Sequence, residues 1–139
     1  MDAGTILKQK GLKVTQNRLD LVNLLKEAVH PLNHKDIENT LSRQTDRVTI
    51  YRNLKSLVKN EIIHKIEVNG TLTSYSINRK IFNTEYETEH LHFHCTICDQ
   101  ITCMPQCKIK KYELPEGYIQ QSSKLIINGI CKLCSNKNK

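Results

Sequence analysis

Two Cys-x2-Cys pairs, Cys95/Cys98 and Cys131/Cys134, constrain this chain more than any other feature. Each pair presents two sulfurs from one tight turn, and two such turns brought together give the tetrahedral four-thiolate shell that zinc takes in closed structural sites. The 32 residues between the pairs exceed the roughly 15 to 20 of a compact zinc ribbon, so a small sheet must lie between them. The alternative is four unrelated buried cysteines, but domains under about 70 to 80 residues rarely build enough core without a staple. No stretch approaches the ~18 apolar residues of a membrane span, and the opening MDAGTILKQKGLK lacks the apolar core of a signal peptide. A cytoplasmic protein without a membrane partner is expected, in which thiols stay reduced and close Cys pairs bind metal.

The first knuckle sits inside EHLHFHCTICDQITC, which holds six of the chain's twelve Cys and His residues. His90, His92 and His94 alternate along an expected strand and so project from one face. Two imidazoles two residues apart can chelate one ion, and being neutral near pH 7 they need little deprotonation to do so. An isolated His-x-His is more often a solvated strand face. Beside a knuckle, with Cys103 and Cys107 left over, it points to a second metal. His94 directly precedes Cys95, and ligand and structural roles both remain open for it. His30 and His34 lie near the second and third helices, and either could complete such a site. His64 falls on a strand further on and reads as structural or phosphate-facing.

The 139 residues carry a formal net charge of +7, concentrated in residues 1–80, where 14 Lys/Arg face 8 Asp/Glu. A basic excess on one half is the electrostatic footprint of a polyanion binder. That half reads as helices over 3–10, from the N-cap Thr15, from the N-cap Asn33 and from the N-cap Asp46. In the fourth helix Ile50, Leu54, Leu57 and Val58 share one face, Arg52, Lys55 and Lys59 the opposite one, with Thr49 and Tyr51 on its flanks. Two extended runs, EIIHKIEV and TLTSYSI, flank Asn69-Gly70, a strong hairpin signal. Helices followed by a hairpin make a winged helix-turn-helix. Polar, aperiodic residues 79–89 read as a hinge, and HLHFHC, QITC, YIQQSS and KLIING as short strands.

Together these residues resemble the ferric uptake regulator (Fur) family of bacterial metal-dependent repressors. The likeness is carried by Gly11, Lys13, Thr15 and Arg18 of the opening segment and by Thr49-Ile50-Tyr51-Arg52 in the fourth helix. His90-x-His92-x-x-Cys95-x-x-Cys98 and the terminal Gly129-x-Cys131-x-x-Cys134 complete it. The resemblance implies an α+β chain: a winged-helix DNA-binding domain over 1–78, the hinge, and a small α/β metal-binding dimerisation domain over 90–139 with a four-cysteine zinc site. It implies a homodimer that represses metal-uptake genes, for zinc or iron, from a palindromic double-stranded DNA operator, with no small-molecule substrate. DNA contacts would come from Lys13, Thr15, Arg18, Thr49, Tyr51, Arg52 and Lys55, the lysines and arginines neutralising phosphates and Tyr51 packing on a thymine methyl.

Structural zinc would sit in Cys95, Cys98, Cys131 and Cys134, and a regulatory metal at His90, His92 and Cys103 with His30 or His34. Departures from the family pattern bear on that second site. The histidine usually found before the third helix falls at Pro31, beside His30, and an acid after the wing falls near Ser76. The acid after the first knuckle falls on Cys103, and a thiolate there favours zinc over iron(II) or manganese(II), as in the zinc-uptake regulators. The family's long dimerisation helix is interrupted by MPQCKIKKYELPEGY, and a further histidine- and acid-rich site is unmatched at Leu91, Lys110 and Ser123. Two rivals remain: a peroxide or redox sensor of the same fold using Cys103 and Cys107, and a zinc-ribbon module binding RNA or protein. An enzyme is not expected, since Glu89 and Asp99 lack a catalytic pattern around them.

Overall fold

The computed structural model describes residues 1–43, 45–82 and 90–137. The chain divides into two compact units, Met1–Thr84 and Glu85–Lys139. Most of the expected hinge, from 83 to 89, lies outside the described residues; before it, Arg79–Ile81 forms a single 3-10 turn.

In the first unit local sequence sets each boundary. Helix α1, Ala3–Gln9, is capped by Asp2 and stops at Gly11, which adopts φ +73°. There the Leu12 and Gly11 amides return to the carbonyls of Leu7 and Lys8, the paired bonds of a Schellman cap that glycine accommodates without strain. Helix α2, Gln16–Glu27, begins at Thr15, whose hydroxyl accepts from the Arg18 amide. Helix α3, His34–Leu41, carries a full capping box between Asn33 and Asp36, satisfying two otherwise orphaned donors. Helix α4, Arg47–Lys59, starts at Asp46, whose carboxylate accepts from the Thr49 amide at 2.7 Å. Strands β2, Ile63–Val68, and β3, Leu72–Ile77, pair antiparallel across Asn69-Gly70. Both turn residues have positive φ, as the tight hairpin turn requires.

One strand of this sheet was not foreseen. The two residues of β1, Leu32–Asn33, pair with β3, so the sheet runs β1-β3-β2. The helices close over it around a core that includes Leu21, Leu25, Ile37, Ile50, Leu54, Leu57, Ile63 and Ile77, all nearly or fully buried. Val58 packs against that core from a half-buried position, so the apolar stripe of α4 faces inward as its spacing dictates.

The second unit is a three-stranded sheet in the order β5-β4-β6. Strand β4, Leu91–Cys95, pairs antiparallel with β5, Ile101–Met104, and parallel with β6, Ile126–Gly129; helix α5, Lys132–Lys137, follows. YIQQSS, expected as a strand, forms none: residues 118–123 carry no regular element and are mostly exposed, since strand propensity needs a neighbour to pair with. No helix occurs among the described residues 105–125. The buried apolar residues described in this unit are Leu91, Ile101, Cys95 and Cys134, too few to hold a domain without a staple.

Candidate functional site

The two knuckles meet. The sulfurs of Cys95, Cys98, Cys131 and Cys134 lie within 4.8 Å of one another, and Cys98 Sγ and Cys131 Sγ are 3.9 Å apart. A tetrahedron of Zn–S bonds near 2.3 Å has edges of about 3.8 Å, so the cage fits a thiophilic dication. It is far too open for a disulfide, and none of the six cysteines is disulfide-bonded. The parallel pairing of β4 with β6 builds the cage, because it sets Cys95 opposite Gly129, two residues before Cys131. A side chain at Gly129 would meet the Phe93 ring, whose Cζ lies 3.0 Å from where a Cβ would stand.

Electrostatics argue for a cation in that cage. Backbone N–H groups of Cys98 and Cys131 aimed at the Cys95 sulfur lower its thiol to about 6. Hydrogen bonding to the Cys131 sulfur, with burial and the other knuckle thiols, pushes Cys134 up to about 12. The Cys95 thiolate therefore forms readily, whereas Cys98 and Cys134, both held above the ordinary thiol range, need a metal to displace their protons.

His94 is not available to any ion as it stands. Its ring, 5% exposed, places Nδ1 2.8 Å from Asn128 Oδ1 and Nε2 3.0 Å from Asp99 Oδ1. Both nitrogens face acceptors, so both donate, and the pKa rises, first through Asn128 and also through Asp99. Asp99 closes the first knuckle in the left-handed region, at φ +60°, and Asn128 lies on β6. His94 thus braces one knuckle against the strand leading to the other. Nothing in the sequence marked Asp99 or Asn128 as its partners.

A second donor cluster occupies the β4–β5 pair. His92 stands directly opposite Cys103, and the rings of His90 and His92 are 4.5 Å apart between centroids at 47°. One donor atom from each of His90, His92 and Cys103 falls within 4.8 Å of the others, all from half-buried side chains. Three of the five residues expected at a regulatory site are thus brought together within one unit. The other two belong to the first unit. His34 stacks on Tyr51 and brings Nε2 within 3.2 Å of the Tyr75 hydroxyl, while His30 keeps Nδ1 buried without a hydrogen-bond partner among the described residues. His64, on β2, sets Nδ1 2.8 Å from Asn78 Oδ1. Cys107 is exposed, in a turn closed by its own amide and the Met104 carbonyl.

On α4, Tyr51, Arg52 and Lys55 are exposed and Thr49 half-buried. Lys13 is exposed too, whereas Arg18 is half-buried and committed inward, Nε to Asn53 Oδ1 at 3.3 Å and Nη1 to the Lys13 carbonyl at 2.8 Å. Asn53 is itself buried, so Arg18 fixes the Lys13 loop to α4. Thr15 serves as the α2 cap.

The profile described as the ferric uptake regulator family matches residues 9–124. The chain belongs to that family. Membership makes it a metal-responsive transcriptional regulator rather than an enzyme, and sets aside the zinc-ribbon alternative. The ferric uptake regulation protein of Staphylococcus epidermidis is 30% identical over 141 residues, covering 98% of this chain and 96% of its own. That of Staphylococcus aureus is 30% identical over 139 residues, covering 97% of each. Among solved structures, a zinc uptake regulator complexed with zinc and DNA aligns with a TM-score of 0.68 at 19% identity, covering 98% of this chain and 92% of that one. The Helicobacter pylori ferric uptake regulator, described as having three functional metal-binding sites, aligns at 0.66 and 20% identity, covering 95% and 88%. At such identities these structures speak to the fold alone, which extends over both units of the chain.

Proposed function

We propose that this Fur-family chain is a cytoplasmic, homodimeric repressor that binds a palindromic double-stranded DNA operator when a second divalent metal, zinc by preference, loads a regulatory site. The observation that carries the reading is the meeting of His90, His92 and Cys103 in a cluster distinct from the four-cysteine cage. A structural metal alone needs only the cage. Two imidazoles and a thiolate form a borderline-soft donor set, which suits zinc better than iron(II) or manganese(II). In this reading Cys95, Cys98, Cys131 and Cys134 hold structural zinc.

A fourth donor comes from the DNA-binding unit, so that metal biases one arrangement of the two units over another; the coupling equals the difference in metal affinity between those arrangements. His30 and His34 are the residues that sequence position nominates. His64 is better prepared than His34, because the Asn78 carboxamide oxygen holds its Nδ1 and so sets the tautomer whose Nε2 can donate to a metal. The α4 face of Thr49, Tyr51, Arg52 and Lys55, with Lys13, Thr15 and Arg18 framing it, enters the major groove. Two-fold symmetry places two such helices on successive half-sites.

The homodimer draws support from apolar surface. Tyr112, Tyr118, Ile119, Ile130 and Leu133 of the second unit are all more than half exposed, apolar side chains that a second copy of the chain would cover on dimerisation. The test is metal content and X-ray absorption on purified protein. Two zincs per chain are expected, one in a sulfur-only shell and one in mixed nitrogen and sulfur. A single zinc per chain after saturation and desalting contradicts the regulatory site. C103A and the single alanine variants of His30, His34 and His64 identify the remaining ligands by which of them lose the second zinc.

A further inference from the structure

We infer that His34 is a positioning residue for DNA readout, fixing the Tyr51 ring in the orientation in which it meets a base. The inference rests on the proposal that α4 enters the major groove. It assigns to His34 a role other than metal ligation.

Tyr51 is 43% exposed, and an aromatic ring so exposed ordinarily samples several rotamers and loses that freedom on binding. Here it is held. The His34 imidazole stacks on it with centroids 4.2 Å apart and planes 14° from parallel. His34 is itself held by its place at the α3 N-terminus and by Tyr75. It is the first residue of α3, directly after an N-cap locked by the Asn33–Asp36 capping box. Its edge meets the Tyr75 ring at 80°, centroids 5.2 Å apart. Its Nε2 is 3.2 Å from the Tyr75 hydroxyl, and Tyr75 is 6% exposed on β3, in register with Leu32 and Lys65. Arg47, four residues before Tyr51 on α4, adds a guanidinium 5.9 Å from the ring and is tethered to Glu38 of α3 at 3.1 Å.

The chain of contacts therefore runs from the buried hydroxyl of the wing sheet, through one imidazole, to the exposed ring of the reading helix. With Nε2 directed to Tyr75 and Nδ1 buried without a partner among the described residues, the ring contributes its face. Preorganised side chains gain affinity by having less freedom to lose on binding.

The full-length, zinc-saturated protein is first used to select duplexes from a randomised pool. Affinity for the selected duplex, and for versions with single thymines changed to uracil, is then measured by anisotropy for wild type, H34A, H34F and Y51A. Wild type should show a thymine-methyl preference at particular positions, which Y51A abolishes. H34A should bind about fivefold more weakly with that preference flattened towards the Y51A profile, and H34F, which keeps the stack, should restore most of both. H34A matching wild type while Y51A does not overturns the positioning role alone. H34F failing as badly as H34A, with one zinc per chain lost, also overturns it, because His34 is then a ligand. Wild type selecting no duplex, or Y51A matching it, defeats the readout that the inference rests on.

Discussion

Individual residues here carry strain and charge whose effects can be measured singly. Glu61 ends α4 with φ +59°, and its amide and that of Ile62 return to the Val58 and Leu57 carbonyls, the geometry of a C-terminal cap that glycine fills best. A side chain with a Cβ costs roughly 1 kcal/mol there, so E61G should raise stability by about that much, read as a higher thermal midpoint without loss of helix signal. Burial, foremost, holds the His34 pKa below its ordinary value. The folded state therefore prefers neutral imidazole. Its contribution is complete above the unfolded value near 6.5 and drains away as pH falls from there towards the folded pKa. Wild type should lose stability relative to H34F as pH falls below about 6.5, and a pH-independent difference in thermal midpoint between the two would contradict this. At the other end of the chain, H94A removes the brace between Asp99 and Asn128. Zinc transfer to a chelator should quicken several-fold, while H94Q, which keeps a donor, should lie between; unchanged release from H94A would leave His94 a core filler.

At the scale of elements, the winged helix could be read almost entirely in advance because its signals are local. Thr15, Asn33 and Asp46 each cap the helix they precede, and Asn69-Gly70 turns the hairpin. What escaped was decided by distant partners. The Leu32–Asn33 strand is two residues beside a proline, with no period to detect, and exists because β3 offers an edge. YIQQSS has strand-like residues and no such edge. His94 could not be assigned from its position, since both of its acceptors lie on other segments, one of them 34 residues away. The two donor clusters were legible because Cys-x2-Cys and His-x-His bring donor atoms together at short range, whereas any donor from the first unit depends on tertiary context. Gly129 links these scales: G129A should press on Phe93 and disturb the β4–β6 pairing that seats Cys131. We expect a loss of about 1 to 3 kcal/mol, visible as faster zinc loss together with a lower thermal midpoint.

The whole molecule is an asymmetric pair. The first unit has a continuous apolar core and should fold without metal, while the second, with few buried apolar residues, should need a metal in its cage. Strong chelation should therefore unfold the second unit and dissociate the dimer while leaving the helical signal of the first largely intact. Loss of both together would show that the cage supports the entire chain. Metal choice is also a property of the assembled second site, since His90 and His92 come before the first knuckle and Cys103 after it. C103D restores an acid where the family expects one and should shift relative affinity towards manganese(II) or iron(II). Metal-responsive repression is tested most sharply by a zinc titration of full-length protein already holding one zinc per chain, with affinity for a selected operator duplex followed throughout. A steep rise in affinity is expected as the second equivalent binds, absent in the H90A/H92A variant. Operator affinity that stays flat through that equivalent, or rises equally in the variant, would contradict it.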